Sequence, residues 1–523
     1  MLKSLMESKA MTYYVWPCNL QLLHYACKFG AYNSICYLMD LCPSELNIAD
    51  EYGMTPFLYS VPWGKKFISL LADGGANALA INSAGQSALH LLFASIKDPL
   101  ELYECTRFLL ACGLEQEINF MDRHGNTALH VLVDLVNRKL EKAGQNESSQ
   151  SEYDEYTLQT MEILLQNNCD PDLLNDSGVT ALHKLILTFD FVISNDPSGI
   201  TLETLPVREN YKIDLDVIYR ALEILLQASA APHKTTGAGR TPLVILLGCV
   251  VDVDPGKGAR YREGLLNCLK LLCANGAHPS HTPSTHTNVV AILARHGHQC
   301  LTQRDDLIRE QMSHFLEQLL ALLLQYGLDS NHSSRKRGRR DSESRTGNIL
   351  VELVRLAQFV REPCDLVHIH RWVLTCLQWG ANPDVEPYPS DHIICHSQSN
   401  IFLKPKGSQP FNQYMYHVQD LIQPLEGEGE ARRVLMLFYN SMGHRALYQC
   451  LNAATFMSRF DPECNRMPSS VFIQVIKKLA FRPRSLKQIA RVAIYQALDR
   501  QLIASVPQLP LPNQLKSYLL NVQ

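Results

Sequence analysis

Three histidines return in register along this chain: His90, His130 and His183, each directly after an Ala-Leu pair. Imidazole is the side chain that changes charge nearest neutral pH, so a recurring histidine raises the question of proton-transfer chemistry. Such chemistry needs partners, and the sequence supplies no assembled signature for them. There is no phosphate-cradling Gly-x-x-x-x-Gly-Lys loop, no Gly-x-Gly-x-x-Gly after a strand, no His-Glu-x-x-His and no Gly-x-Ser-x-Gly elbow. A histidine one residue behind a buried leucine, repeated from copy to copy, instead suits a hydrogen bond to the turn of the neighbouring copy. A second cluster, His296, His298 and Cys300 near His278, His281 and His286, has ligand-type side chains but lacks the paired spacing of a zinc site. It reads as polar loop histidines. Neither a cofactor nor a metal is expected, and no catalytic residue is assigned.

The elements that hold these histidines form a repeat. The stretches "DEYGMTPFL" from Asp50, "NSAGQSALH" from Asn82, "DRHGNTALH" from Asp122, "NDSGVTALH" from Asn175 and "TGAGRTPLV" from Thr236 share one plan. Gly53, Gly85, Gly125, Gly178 and Gly239 suit a turn with positive φ. Thr55, Ser87, Thr127, Thr180 and Thr241 are placed to cap a helix, and Pro56 and Pro242 then fill its first position. A second pattern closes each unit, as in "LLADGGANA" at Leu70 or "CLQWGANPD" at Cys376: an apolar helix, a Gly or Ala stop, a polar turn. Turn, helix, helix, turn is the unit. These motifs resemble the ankyrin repeat. An earlier copy at Leu20 to Gly30 and decayed copies around Thr285 and Asn348 bring the count to about eight.

The spacing departs from the family. Successive cap residues Thr55, Ser87, Thr127, Thr180 and Thr241 lie 32, 40, 53 and 61 residues apart, against a usual ~33. The surplus is expected between the two helices of a unit, and Glu141 to Tyr156, Ile193 to Lys212 and Ser333 to Arg345 read as polar, mobile insertions. The last holds the basic run Arg335 to Arg340, a candidate import signal or nucleic-acid patch, with Ser342 a candidate for a basophilic kinase. The plainer reading is a solvated loop.

Near the C-terminus, Ser485 and Gln488 form a capping box, and Leu486, Ile489, Ala490, Ala493, Ile494, Ala497 and Leu498 follow at helical spacing. One apolar stripe results. "LPLPNQLKSYLL" from Leu509 to Leu520 adds prolines that pre-set an extended link, then a short helix. Residues this few cannot cover all the apolar surface they carry, so the stripe packs either on the chain's own repeats or in a partner. The segment is similar to a SOCS box. By that resemblance, Leu486, Ala490, Ala493 and Ile494 form the face for elongin C, and Leu509, Pro510 and Pro512 govern the choice of cullin. Ala490 stands where the family has cysteine, which weakens the face by about 1 kcal/mol of packing.

Together these readings give an all-α chain: an ankyrin-repeat solenoid with insertions over 17–385, a helical capping or linker region over 386–480, and a small three-helix SOCS box over 481–523. The resemblance implies a substrate-recognition subunit of a cullin-RING ubiquitin ligase, with elongin B, elongin C, cullin 5 and its RING subunit as partners and a protein substrate held by the repeats. Tyr52, Met54, Arg123, His124 and Arg240, at turn tips, are the guessed substrate contacts. The competing expectation is a non-ligase ankyrin scaffold whose C-terminal helices cap its own stack. A net charge of -4, apolar runs too short for a bilayer span, no signal-type segment at the start and sixteen scattered cysteines without a Cys-x-x-Cys pair argue for a cytoplasmic, also nuclear, protein. Neither membrane nor nucleic acid is an expected partner.

Overall fold

The computed structural model describes residues 22–96, 98–140, 147–187, 215–251, 259–280, 289–331, 348–384, 410–418, 429–457, 470–481 and 483–521. The described residues are helical, with two isolated bridges and no strand. They pack as two compact units, one of Met1–Leu246 with Asn267–Gly276, the other of Leu247–Leu266 with Ala277–Gln523.

In the first unit the helices come in pairs: α1 (Leu22–Lys28) with α2 (Tyr32–Leu41), α3 (Pro56–Ser60) with α4 (Lys65–Asp73), α5 (Ala88–Ser95) with α6 (Pro99–Ala111). Then come α7 (Ala128–Leu140) with α8 (Glu147–Gln166) and α9 (Ala181–Leu187) with α10 (Leu215–Gln227). First helices stack on first helices and second on second: α5 and α9 flank α7, while α6 and α10 flank α8. The unit boundary then runs through α11 (Pro242–Val251) and α12 (Ala259–Ala274).

The turns show why the motif has its letters. The five motif glycines sit at φ +67 to +72. At Gly125 a Cβ would lie 2.7 Å from the Asp176 amide, so the next repeat's turn closes over a hydrogen atom. The first residue of each copy braces the loop. Asp122 Oδ1 accepts from the amides of His124 (2.8 Å) and Asn126 (2.9 Å), and Asp50, Asn82 and Asn175 do the same in their copies. The motif histidines tie copy to copy. Nδ1 of His90 lies 2.8 Å from Ser87 Oγ while its Nε2 lies 2.9 Å from Asn126 O; His130 repeats this with Thr127 and Val179 O, at 2.8 and 3.0 Å. Burial holds His90, His130 and His183 below the usual imidazole pKa, His183 at about 4, which keeps them neutral hydrogen-bonding struts.

Two sequence expectations need correction. Residues 147–156, read as mobile, are the opening turns of α8. Tyr156 meets the Tyr103 ring at 5.9 Å between centroids, and Glu155 pairs with Arg220 at 2.9 Å, so neighbouring helices hold a polar segment in helical form. His296, His298 and Cys300, read as loop residues, stand on α13 (Val289–Thr302), with His296 buried edge-on to Phe315 and the Cys300 thiol donating to Arg309 O. The remainder of the insertions, the basic run, His281 and His286 lie outside the described residues. Most described cysteines are buried free thiols, and burial pushes those of Cys27, Cys105, Cys169 and Cys300 up to about 12.

The second unit continues the same plan. There α13 pairs with α14 (Asp306–Gln325), and α15 (Ile349–Arg355) pairs with α16 (Leu366–Gln378). The pattern does not stop where the sequence motif fades. In the first-helix row, α17 (Pro410–Val418) packs on α15 and is followed by α19 (His444–Met457); in the second-helix row, α18 (Glu430–Ser441) packs on α16. Thus α17 and α18 form a further repeat-like pair without the motif.

The closing turns carry a side-chain ladder that shows the continuity within each unit. Asn47 Oδ1 accepts from the Asn77 amide at 2.7 Å, and Asn119 accepts from Asp170 at 2.8 Å. In the second unit Asn331 accepts from Asn382 at 2.8 Å, and Asp384 takes the next rung from the Gly443 amide at 2.8 Å.

Candidate protein-docking surface at the C-terminus

After α20 (Ser470–Phe481), which packs on α19, come α21 (Leu486–Ala497), α22 (Leu502–Ser505) and α23 (Asn513–Leu520). The capping box expected from the sequence is present. The Gln488 amide donates to Ser485 Oγ at 3.3 Å, and the Ser485 amide donates to Gln488 Oε1 at 3.0 Å. Gln488 also donates to Asn440 on α18 at 3.0 Å, which sets the entry of α21 on the stack. α21 packs on α18, so it takes the place of the next second-row helix.

The two faces of α21 differ in their cover. Arg491, Val492 and Tyr495 are buried, together with Leu502, Val506 and Leu519. The Tyr495 hydroxyl donates to Leu519 O at 2.6 Å, and burial pushes its pKa up to about 12, so it remains a donor. Arg491 donates to Tyr518 O at 2.7 Å and lies 3.5 Å from the centroid of the Tyr518 ring, whose environment also holds Lys487 at 4.0 Å. On the opposite face, Leu486 is 85% exposed and Ile489 48%, Ala490 and Ala493 are exposed, and Ile494 is half-buried. The predicted stripe is therefore bare. A fully covered leucine is worth about 1.5–3 kcal/mol relative to an exposed one, so this face has affinity to offer.

The link after α22 is also available. Leu509 at φ -66, ψ 143 and Pro512 at φ -57, ψ 148 are in the polyproline region. Pro510 and Pro512 are exposed and Leu509 is half-buried. Lys516 donates to Pro507 O at 2.7 Å and closes the loop.

The helices are fastened to the stack by residues that carry no motif in the sequence. Arg500 is buried; it donates to Asp384 Oδ2 at 2.6 Å and to Ser441 O at 2.9 Å. Arg484 donates to Met442 O at 2.8 Å and to Tyr439 O, with its guanidinium 5.1 Å from the Tyr439 ring centroid. Gln378 reaches Leu520 O at 3.0 Å, and Trp379 bridges to Gln501. Asp499 and Arg500 hold positive φ, 48 and 61, in the loop that delivers the guanidinium. The one sequence signal is Asp384, two residues after Asn382 in the closing turn, where Asn331 stands two after Asp329.

The guessed substrate residues sit on turn tips of the first unit. Tyr52, Arg123 and His124 are exposed, whereas Met54 and Arg240 are half-buried. Their backbones are joined along the array: the Ser83 amide donates to Tyr52 O at 2.8 Å, Arg123 to Ala84 O at 2.8 Å, and Asp176 to His124 O at 3.1 Å. No helix among the described residues is long and apolar enough to cross a membrane, and no group of three or more His, Cys, Asp or Glu side chains among them could hold a metal.

Known proteins resemble parts of this chain. Residues 482–520 match the SOCS box family. A putative ankyrin repeat protein of Acanthamoeba polyphaga mimivirus is 25% identical over 181 residues, 32% of this chain and 29% of that protein. The chain thus spans under a third of that relative. Among solved structures, the ankyrin repeat domain of Bcl-3, a member of the IkappaB protein family, aligns with 56% of this chain and 98% of its own at 20% identity and a TM-score of 0.34. An ankyrin repeat domain from Acinetobacter baumannii aligns with 49% and 97% at 19% identity and a TM-score of 0.33. This is an ankyrin repeat plus SOCS box protein.

Proposed function

We propose that this chain is the substrate-recognition subunit of a cullin-RING ubiquitin ligase, with no catalytic step of its own. The bare stripe of α21 carries the reading: Leu486, Ala490, Ala493 and Ile494 form the elongin C face while the other side of the helix is fixed to the stack. Leu509, Pro510 and Pro512 form the cullin-facing link, pre-set in extended form so that little entropy is lost on docking. Elongin B, cullin 5 and its RING subunit complete the assembly, and the repeats hold a protein substrate through turn tips that include Tyr52, Met54, Arg123, His124 and Arg240. The mechanism is proximity. A receptor that holds substrate lysines near a charged conjugating enzyme raises their effective concentration without making a bond.

The scaffold reading has support in the buried face of α21, which does cap the stack. It leaves the opposite stripe unexplained, and one helix serves both ends. Co-purification of the full chain with elongin B and C tests the role: recovery from wild type and loss in Leu486→Asp is the expected result, and no recovery from wild type ends the ligase reading. A Pro510→Ala/Pro512→Ala variant that keeps full cullin 5 recovery over cullin 2 would remove the link's assigned part.

A further inference from the structure

Phe481 closes α20, one position before the segment that matches the SOCS box. It is 82% exposed, and among the described large apolar side chains only Leu486, at 85%, is barer. Single exposed apolar residues are ordinary, but contiguous ones mark interaction sites. Here the two barest, Phe481 and Leu486, flank one joint, and Ile489, Ala490 and Ala493 extend the surface along α21.

That joint is held. Arg484 lies inside it and is bound to Met442 O, Tyr439 O and the Tyr439 ring, which fastens the start of α21 to the stack five residues or fewer along the chain from Phe481. Five residues of chain reach roughly 18 Å at most. A standard interface covers about 800 Å² per partner, a patch about 30 Å across, which is wide enough to take in both side chains. Lys477 and Lys478, on the helix that Phe481 closes, are exposed as well.

Resting on the receptor reading above, we infer that Phe481 is a further anchor for elongin C, placed upstream of the SOCS box. Its ring compensates for the smaller apolar surface that Ala490 offers in place of cysteine.

The test titrates the full-length protein with purified elongin B/C heterodimer. Phe481→Ala is expected to weaken binding about 10- to 50-fold, the range of an interface hot spot. Leu307→Ala, which removes a side chain 69% exposed on α14, is expected to change nothing. Ala490→Cys is expected to tighten binding a few-fold and to recover part of the affinity in the Phe481→Ala background. Wild type is further expected to slow hydrogen exchange of the amides around Phe481 when the heterodimer is added. If Phe481→Ala binds within twofold of wild type while Leu486→Asp does not bind, this inference fails and the receptor reading stands. If Leu307→Ala loses as much as Phe481→Ala, the effect is not local and the inference also fails. If wild type does not bind elongin, the receptor reading itself falls. Phe481 touches little of its own chain, and an unchanged melting temperature shows that a loss of binding is not a loss of fold.

Discussion

α16 and α21 hold places in the same row of second helices, yet only one is finished. α16 lies between α14 and α18, and Trp372 at its centre is fully buried and donates to Ser313 O at 3.2 Å. α21 has α18 on one side and Leu486 in solvent on the other. Helices of a solenoid depend on both neighbours, so a last helix normally turns a polar face outward. α21 keeps an apolar one. The contrast separates two settings for apolar side chains: buried in the fold in α16, left in solvent in α21.

Substitution can break that contrast most strongly. Trp372→Ala is expected to cost about 3–5 kcal/mol of unfolding free energy, because the neighbouring helices cannot collapse into the space left by an indole. Leu486→Asp is expected to leave the melting temperature within a degree or two and to weaken elongin B/C binding more than about 100-fold, since a carboxylate would be buried unpaired. Chemical denaturation and a binding titration on both variants give four numbers. If Leu486→Asp destabilises the fold as Trp372→Ala does, α21 is an ordinary cap.

Much of this is legible in the sequence. Periodicity, the turn glycines and the cap residues locate about eight helix pairs, because each of those features has a local cause. The capping box at Ser485 and the stripe behind it are equally local, and the structure contains both. What stays hidden is long-range. α17 and α18 lack the motif's opening-turn glycine and cap, and the turn that follows them at Met442–Gly443 is held by Asp384, some sixty residues earlier. Arg500 and Arg484 look like surface cations in the sequence, and only the packing shows that they are donors to backbone carbonyls at the joint. The polar start of α8 escapes the sequence because composition reports what a segment lacks, not which neighbours will order it.

The joint between array and SOCS box gives the next contrast. Arg500 is buried with one carboxylate partner, so Asp384→Ala leaves a buried cation half-satisfied and strips the Gly443 amide as well. A cost of about 3 kcal/mol is expected, localised to the C-terminal helices. Hydrogen exchange should rise in α21 to α23 and stay unchanged in α5 to α10. Uniform loss of protection would instead mean that Asp384 supports the repeats generally.

Acid acts on the motif histidines of the first unit, as it does on His296 and His370 of the second, both held at about 4 by burial. His90, His130 and His183 have folded-state pKa values below the unfolded 6.5, His183 at about 4, so the unfolded chain takes up protons first as pH falls. Their contribution is complete above about 6.5 and is lost as pH falls below it, for His183 toward about 4. His183 alone is worth on the order of 3 kcal/mol across that window. His183→Gln should flatten the pH dependence between 6.5 and 4 in thermal melts, and an unchanged slope would show that another group carries it.

The smallest effect belongs to a single turn. Gly125 has φ +71, where an L-residue costs roughly 1–2 kcal/mol, and a Cβ would also press the Asp176 amide at 2.7 Å. The turns are linked through that amide to His124 O, so Gly125→Ala should open the strip between the third and fourth motif copies. Gly113 offers the control: its φ is +99, but nothing lies within 4 Å of a Cβ there. Gly113→Ala therefore carries the backbone strain without the collision. A larger loss of melting temperature in Gly125→Ala than in Gly113→Ala measures the contact between copies, and equal losses would show that the turns are strained singly and do not support one another.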